Sequence, residues 1–304
     1  MYRLTGRTAA LASIAVVIAA VAGVPAQASP VPSGHAAKPM VLGLYTPGNE
    51  TGNFSADQAW PVAPSQWLEY NCWYTCGFPT SYAETAYADG YEPYVEMESW
   101  NDSQLSGNGD VPITEITAGD FDSYLTTFAQ QINSYGHPVE LTFDHEANGN
   151  WYPWGWHGSD GITPAQWKAA WKHVVTKIDA VTNLVTWVWA PNVNIPGATT
   201  TLKSYWPGSA YVGVVGLDGY DNSSSSTFAK VFNPSLNQVH SLTSAPWILT
   251  ETGISNSLNQ AALIGPWIKA AHRAGASGFD YFEDSNYVLT SAAQTAFAQA
   301  WPKG

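Results

Sequence analysis

Pro138-Val139-Glu140-Leu141-Thr142-Phe143-Asp144 runs into His145-Glu146, then into a loop bearing Trp151, Trp154 and Trp156. A stretch of helical period follows from Pro164 to Val181, and then Leu184-Val185-Thr186-Trp187-Val188-Trp189. Residues 138–144 read as a short strand with a mostly apolar run. Thr163-Pro164 is an N-cap followed by proline at the first helical turn. Residues 184–189, rich in Val and Trp, read as the next strand. A strand, a helix and a strand in this order are the unit of an α/β fold.

The same alternation extends in both directions. Strand-type runs lie at 41–45, 66–70 (weak), 91–97, 211–217, 247–251 and 278–282. Helical segments lie at 79–88, 120–135, 226–241, 257–274 and 290–300. In 120–135, Phe121, Tyr124, Leu125, Phe128 and Ile132 share one face. Eight strands alternating with helices over about 260 residues match a single closed (β/α)8 TIM barrel. An open doubly wound sheet is the alternative, but GxGxxG and GxxxxGK[ST] are both absent.

Composition narrows the function. The chain has 304 residues with Lys+Arg 11 against Asp+Glu 24, a net charge of −13. So acidic a chain is a poor partner for nucleic-acid phosphates or an anionic membrane. Aromatics make up 13%, with 15 Trp and 16 Tyr, which excludes a disordered chain. It also suggests flat apolar platforms besides a core.

Arg3 and Arg7, the apolar run Ala9 to Val24 and the small-x-small Ala26-Gln27-Ala28 read as a secretory signal peptide, residues 1–28. The run is too short for a membrane span and Pro25 closes it. The mature protein is therefore expected to be secreted and soluble. Residues 29–39 read as a flexible lead-in, and 40–304 as one catalytic domain. Cys72 and Cys76 are the only cysteines, and in a secreted chain they point to a small local disulfide. Half of a metal site is the other reading, but no second Cys or His pair is spaced to complete it.

In a barrel the chemistry sits at the C-terminal ends of the strands. The fourth strand ends at Glu146 and the seventh at Glu251. Two carboxylates facing each other across the barrel mouth suit glycoside hydrolysis. One must protonate the leaving oxygen, and the other must stabilise or attack the anomeric carbon. Glu146, set among tryptophans, suits the acid/base, because apolar surroundings favour the neutral form. Glu251 is then the nucleophile. Trp151, Trp154 and Trp156 lie in a loop with little core to offer and read as sugar-stacking platforms. Trp187 and Trp189 share a strand face, so at least one is expected at the barrel mouth. Trp167 and Trp171, four apart on a helix, read as core. HExxH and GxSxG are absent, which speaks against a metalloprotease and a serine hydrolase. No metal and no cofactor are expected.

The segment His145-Glu146-Ala147-Asn148-Gly149-Asn150-Trp151-Tyr152-Pro153-Trp154 closely resembles the acid/base signature of glycoside hydrolase family 26, HEMNGxWYPW. Trp187–Asn192, Tyr205–Gly208, Val215–Tyr220 and Thr250–Gly253 resemble further segments of that family, in order. The resemblance spans about residues 40 to 300. It implies a retaining clan A barrel that acts on polysaccharide, in its best-known members β-1,4-mannan, in others β-1,3-xylan or mixed-linkage β-glucan. It implies Glu146 as acid/base and Glu251 as nucleophile. It implies His145 in contact with the sugar at the cleavage site, Trp151 stacked near it, Tyr220 hydrogen-bonded to the nucleophile and Tyr281 as an aromatic near the site. The family's arginine four residues before the acid/base is replaced by Thr142. A non-catalytic carbohydrate-binding barrel is the contrasting reading. No obligate protein partner is implied.

Overall fold

The computed structural model describes residues 39–73, 76–100, 112–156, 161–193 and 201–302. The expected signal peptide and nearly all of the lead-in lie outside the described residues. Eight parallel strands close into a barrel in sequence order. They are β1 Val41–Tyr45, β2 Gln66–Asn71, β3 Glu92–Met97, β4 Val139–Phe143, β5 Val185–Trp189, β6 Val214–Asp221, β7 Trp247–Ile254 and β8 Gly278–Phe282. Helices among the described residues are α1 Ser55–Gln58, α2 Thr80–Ala88, α3 Ile113–Ala118, α4 Asp122–Tyr135, α5 Pro164–Asp179, α6 Leu202–Tyr205, α7 Phe228–Leu242, α8 Gln260–Arg273 and α9 Ser291–Ala300. This is the (β/α)8 TIM barrel expected from the alternation.

Local chemistry explains the element ends. Thr163 and Gln166 form a reciprocal capping box at α5, with Pro164 at its first position. Thr227 and Thr290 cap α7 and α9 through their hydroxyls. Gly136 closes α4 with a left-handed φ of 78°, which costs glycine little. β6 lies three to four residues later than the sequence suggests. Its Gly216, Asp218 and Gly219 look like loop, yet the strand continues because Asp218 pairs with Glu251 and Asp221 with Ile254.

Strand parity divides the aromatics. Val188 points into the barrel with Tyr45, Leu68, Tyr94, Val214 and Ile248. Trp187 and Trp189, on the opposite face of β5, pack outward among the helices. Trp187 meets Trp171, and Trp189 meets Trp206 edge-on. The expectation that one of the pair reaches the barrel mouth is therefore corrected: a period of two sends both to the helix layer. Trp167 and Trp171 are buried core residues, as expected.

The barrel interior is unusually polar. Gln66 donates to Glu140 at 2.7 Å, and Asp280 is wholly buried beside Gly43. A Cβ at Gly43 would stand 2.0 Å from an Asp280 carboxyl oxygen, so only glycine leaves that acid its room. Cys72 and Cys76 are joined in a disulfide with their Cα atoms 5.5 Å apart. Both cysteines lie just after β2 and line the cleft at the C-terminal ends of the strands.

Candidate active site

The C-terminal ends of the strands surround a cleft of about 900 Å³. Glu146 and Glu251 both line it, with Tyr70, Trp100, Trp151, Tyr152, Asn192, Tyr220, Phe282 and Tyr287. Among the described residues that line it there is no Lys or Arg.

Glu146 is delivered by a turn. The chain leaves β4 at Phe143, and Asp144 and Glu146 both adopt left-handed backbone, with φ of 49° and 50°. Such conformations cost a non-glycine residue on the order of 1 kcal/mol each and need support from their surroundings. That support is visible. The Asp144 carboxylate accepts from the Ser99 amide at 2.7 Å and the Ser99 hydroxyl at 2.9 Å. The Glu146 amide donates to the Ala190 carbonyl at 2.7 Å, tying the turn to the end of β5. Asn148 and Asn192 exchange two hydrogen bonds, at 2.9 and 3.0 Å. Asn192 so held donates to one carboxyl oxygen of Glu146. The Trp151 indole donates to the other at 2.5 Å. Its ring folds back over Gly149, where a Cβ would lie 2.6 Å from the indole. The Asn-Gly-Asn-Trp order of the loop thus serves the carboxylate that precedes it.

Glu251 stands within β7 and needs no such turn. Tyr70 of β2 donates to one of its oxygens at 2.7 Å, and Tyr220 of β6 donates to the other. His145 lies among Glu96, Glu98, Glu251 and Tyr152. Its Nδ1 is 2.8 Å from Glu96 and 3.8 Å from Glu98, and its Nε2 is 3.8 Å from Glu251 and 3.0 Å from the Tyr152 hydroxyl.

These contacts set the charges. Burial alone would lower the pKa of His145, but Glu96, Glu251 and Glu98 outweigh it and hold the imidazole well above its usual value. His145 therefore carries positive charge beside a cleft whose described lining residues include no Lys or Arg. Burial pushes Glu251 up to about 8, with Glu96 and Glu146 adding to it, against the pull of His145 and Tyr220. Burial also raises Glu146, against His145, Asn192 and Trp151. The charge of Glu146 is one of the influences that raise Glu251, so ionisation of the one carboxylate opposes ionisation of the other.

The other expected site residues divide. Trp151 is 47% exposed and lines the cleft beside Glu146. Trp154, expected as a platform, is only 1% exposed and is corrected to a packing role. Its indole donates to the His145 carbonyl at 2.7 Å, and one face stacks on Tyr152 with ring centroids 4.5 Å apart. Trp154 thus braces Tyr152, which in turn holds His145. Trp156 packs half-buried against the core. Trp189, at 1% exposure, and Tyr281, at 0%, do not line the cleft either and are corrected likewise. Tyr281 instead donates to the Tyr287 carbonyl at 2.8 Å and so positions a ring that does line it. Tyr70, Trp100, Phe282 and Tyr287 went unread in the sequence. The only signal for Tyr70 was its place at the end of a weak strand.

Glu96, His145 and Glu251 each offer a ligand atom within 4.8 Å of the others, which is a spacing a cation would accept. In this structure Tyr94, Tyr152, Tyr70 and Tyr220 already hydrogen-bond these three groups.

Comparison with known proteins agrees with the geometry. Endoglucanase H of Acetivibrio thermocellus is 32% identical over 143 residues, covering 46% of this chain and 15% of the relative. Mannan endo-1,4-beta-mannosidase of Bacillus subtilis strain 168 is 27% identical over 152 residues, covering 43% of this chain and 41% of the relative. The matched stretches therefore span less than half the length of either relative. Among solved structures, the catalytic domain of a GH26 endo-beta-1,4-mannanase from Bacillus sp. JAMB-750 superposes with a TM-score of 0.66 at 17% identity, covering 87% of this chain and 86% of that one. A GH26 beta-mannanase from Bacteroides ovatus gives 0.62 at 15% identity, covering 86% and 88%. These structural likenesses speak for the barrel. The sequence profile of glycosyl hydrolase family 26 matches residues 113–301, more than half of the chain and the part that carries Glu146, Asn192, Tyr220 and Glu251; the chain belongs to that family.

Proposed function

We propose that this chain is a secreted, retaining endo-β-glycanase whose preferred substrate is β-1,4-mannan. The observation that carries the reading is the pairing of Glu146 and Glu251 in one cleft, each held by two hydrogen-bond donors through both oxygens.

Glu146 donates its proton to the glycosidic oxygen as the bond to the anomeric carbon breaks. Glu251, as carboxylate, attacks that carbon from the other side and forms a glycosyl-enzyme ester. Glu146, now ionised, takes a proton from water, which attacks the anomeric carbon and releases Glu251. Two displacements leave the configuration as it began. Tyr70 and Tyr220 orient Glu251 and stabilise its anion, and His145 supplies the nearby positive charge. Trp151 offers an exposed face next to the acid for a sugar ring.

Cleavage of a β-glucan is the second reading, favoured by the likeness to endoglucanase H. β-1,3-Xylan is the remaining family substrate to test. Reducing-sugar release on purified mannan, glucomannan, mixed-linkage glucan and β-1,3-xylan separates these, and a silent panel would favour a non-catalytic binding barrel. NMR of the first-formed product decides retention: an inverted anomer sinks the double displacement. Appearance of the protein in the culture medium, with its N-terminus after Ala28, tests secretion.

A further inference from the structure

The cleft does not end at the catalytic pair. It continues over the end of β2 into an annex lined by Glu50, Glu69, Cys72, Cys76, Pro79 and Tyr82. Strand parity makes this annex. Tyr70 points inward to Glu251, so its neighbour Glu69 points to the other side of β2. The annex is built rather than incidental. Tyr45 donates to Glu50 at 2.6 Å. The Tyr82 ring packs so closely on Gly52, whose φ is +67°, that a Cβ there would lie 2.6 Å from it. The two cysteines of the disulfide line it as well.

Glu69 is the unexplained group. It is only 5% exposed, and its Oε2 has no hydrogen-bond partner among the described residues. A buried polar atom left unpaired costs about 1–3 kcal/mol, so such an atom lining a cavity marks a place for a ligand. Burial, reinforced by Glu50, pushes Glu69 up to about 9. At neutral pH it is a neutral acid that can both donate and accept. A sugar hydroxyl does both as well. With Glu50 alongside and no Lys or Arg among the described lining residues, a uronic acid or sulfate ester would be repelled.

We propose that Glu69 is a specificity-determining residue that takes a hydroxyl of a neutral sugar ring seated in this annex. The ring is either a further unit of the main chain or a branch on it. This rests on the glycanase reading above and assigns Glu69 and its annex to it.

The test compares wild type, Glu69→Ala and Glu69→Gln on linear oligosaccharides of increasing length and on singly branched ones. The mannan, mixed-linkage glucan and β-1,3-xylan series are all included. Equilibrium titration of the same sugars runs in parallel and needs no turnover. On the turned-over series, Glu69→Ala is expected to lose about tenfold in kcat/KM, mostly through KM, once the sugar is large enough to fill the annex. Binding should weaken by a similar factor. Glu69→Gln, which keeps a donor and an acceptor, should recover most of both. Loss confined to longer linear sugars assigns the annex to the main chain, and loss confined to branched ones assigns it to a branch. Equal affinity of wild type and Glu69→Ala for every sugar overturns the inference. Failure of wild type to turn over any series overturns the glycanase reading, while the titration still decides on Glu69. Melting temperatures of the variants separate a structural role, which would lower stability without dependence on sugar length.

Discussion

At the end of β4 the chain breaks out of the strand and turns through two left-handed residues to present Glu146. At the end of β7 the strand simply continues, and Glu251 is one of its own residues, paired across to Asp218. The two carboxylates meet in one cleft but depend on different things. Glu146 depends on its loop: the Asp144–Ser99 contacts, the Asn148–Asn192 exchange and the Trp151 indole. Glu251 depends on side chains from other strands, Tyr70 and Tyr220. Damage to the first region should therefore show as lost positioning of Glu146 and, where a buried brace such as Trp154 is removed, as lost stability. Damage to the second should show as altered charge.

The sharpest way to break this comparison is to remove each carboxylate. Glu146→Gln and Glu251→Gln should each lower kcat by about 10³–10⁴-fold while leaving a folded protein. The two sites then differ in rescue. On an activated aryl glycoside, azide should restore turnover to Glu146→Ala and give a glycosyl azide of retained configuration, because Glu251 still forms the ester. With Glu251→Ala, azide should give the inverted azide. The same product from both variants would contradict the assignment of roles.

Within the β4 loop, Trp154 and Trp151 should part company. Trp154→Ala empties a buried site and should cost about 3–5 kcal/mol of stability, read by denaturant unfolding. Trp151→Ala should leave unfolding nearly unchanged and weaken oligosaccharide affinity by about 1–3 kcal/mol. Trp167→Ala is the control, losing stability with no selective binding defect. A Trp154→Ala variant that unfolds normally but fails to bind sugar would restore the platform role.

This pair shows what the sequence could convey. The strand ends at 146 and 251 were legible because alternation, spacing and barrel geometry all bear on them. The long motif after β4 was legible as a site but not residue by residue. A glycine- and proline-containing loop looks solvated, and nothing in its composition reveals that Trp154 turns inward to the His145 carbonyl while Trp151 stays out. Trp189 was misplaced for a different reason. Period two correctly put it with Trp187 on one face, but which face looks inward is set by the closed barrel. Tyr70 and Phe282 were missed because their places in the cleft arise only when β2 and β8 come together beside β1.

A smaller effect separates the site from most proteins. Burial raises Glu69 to about 9, and Glu251 and Glu283 to about 8. Between about pH 4.5, where these groups ionise in the unfolded chain, and pH 8, the folded state binds more protons. Stability must then fall as pH rises through that window. The raised His145 acts in the same sense, since its stabilisation is complete below about 6.5 and is lost as pH climbs toward its folded value. The melting temperature at pH 5.5 should exceed that at pH 8.5 by on the order of 5 °C. A flat or opposite profile would mean that water reaches these carboxyls in solution.

The finest test removes one donor from each glutamate. Tyr70→Phe takes away a hydroxyl that donates to Glu251 and favours its anion. The pKa of Glu251 should rise, and the acid limb of kcat/KM should move up by about 0.5–1 pH unit. Asn192→Ala takes away a donor from Glu146 and likewise favours its neutral form. In that variant the alkaline limb should move up, because the acid keeps its proton longer. The two changes remove the same kind of bond, yet one narrows the active range and the other widens it. That opposite response follows only if Glu251 works ionised and Glu146 works protonated. The Asn192 variant should also lose some kcat at its optimum, since Asn192 is part of the Asn148 brace that holds the β4 turn. The Tyr70 variant should lose less there, because Tyr220 still holds the other oxygen of Glu251. If both variants shifted the same limb, the two carboxylates would share one role, and the contrast between a loop-held acid and a strand-held nucleophile would fail.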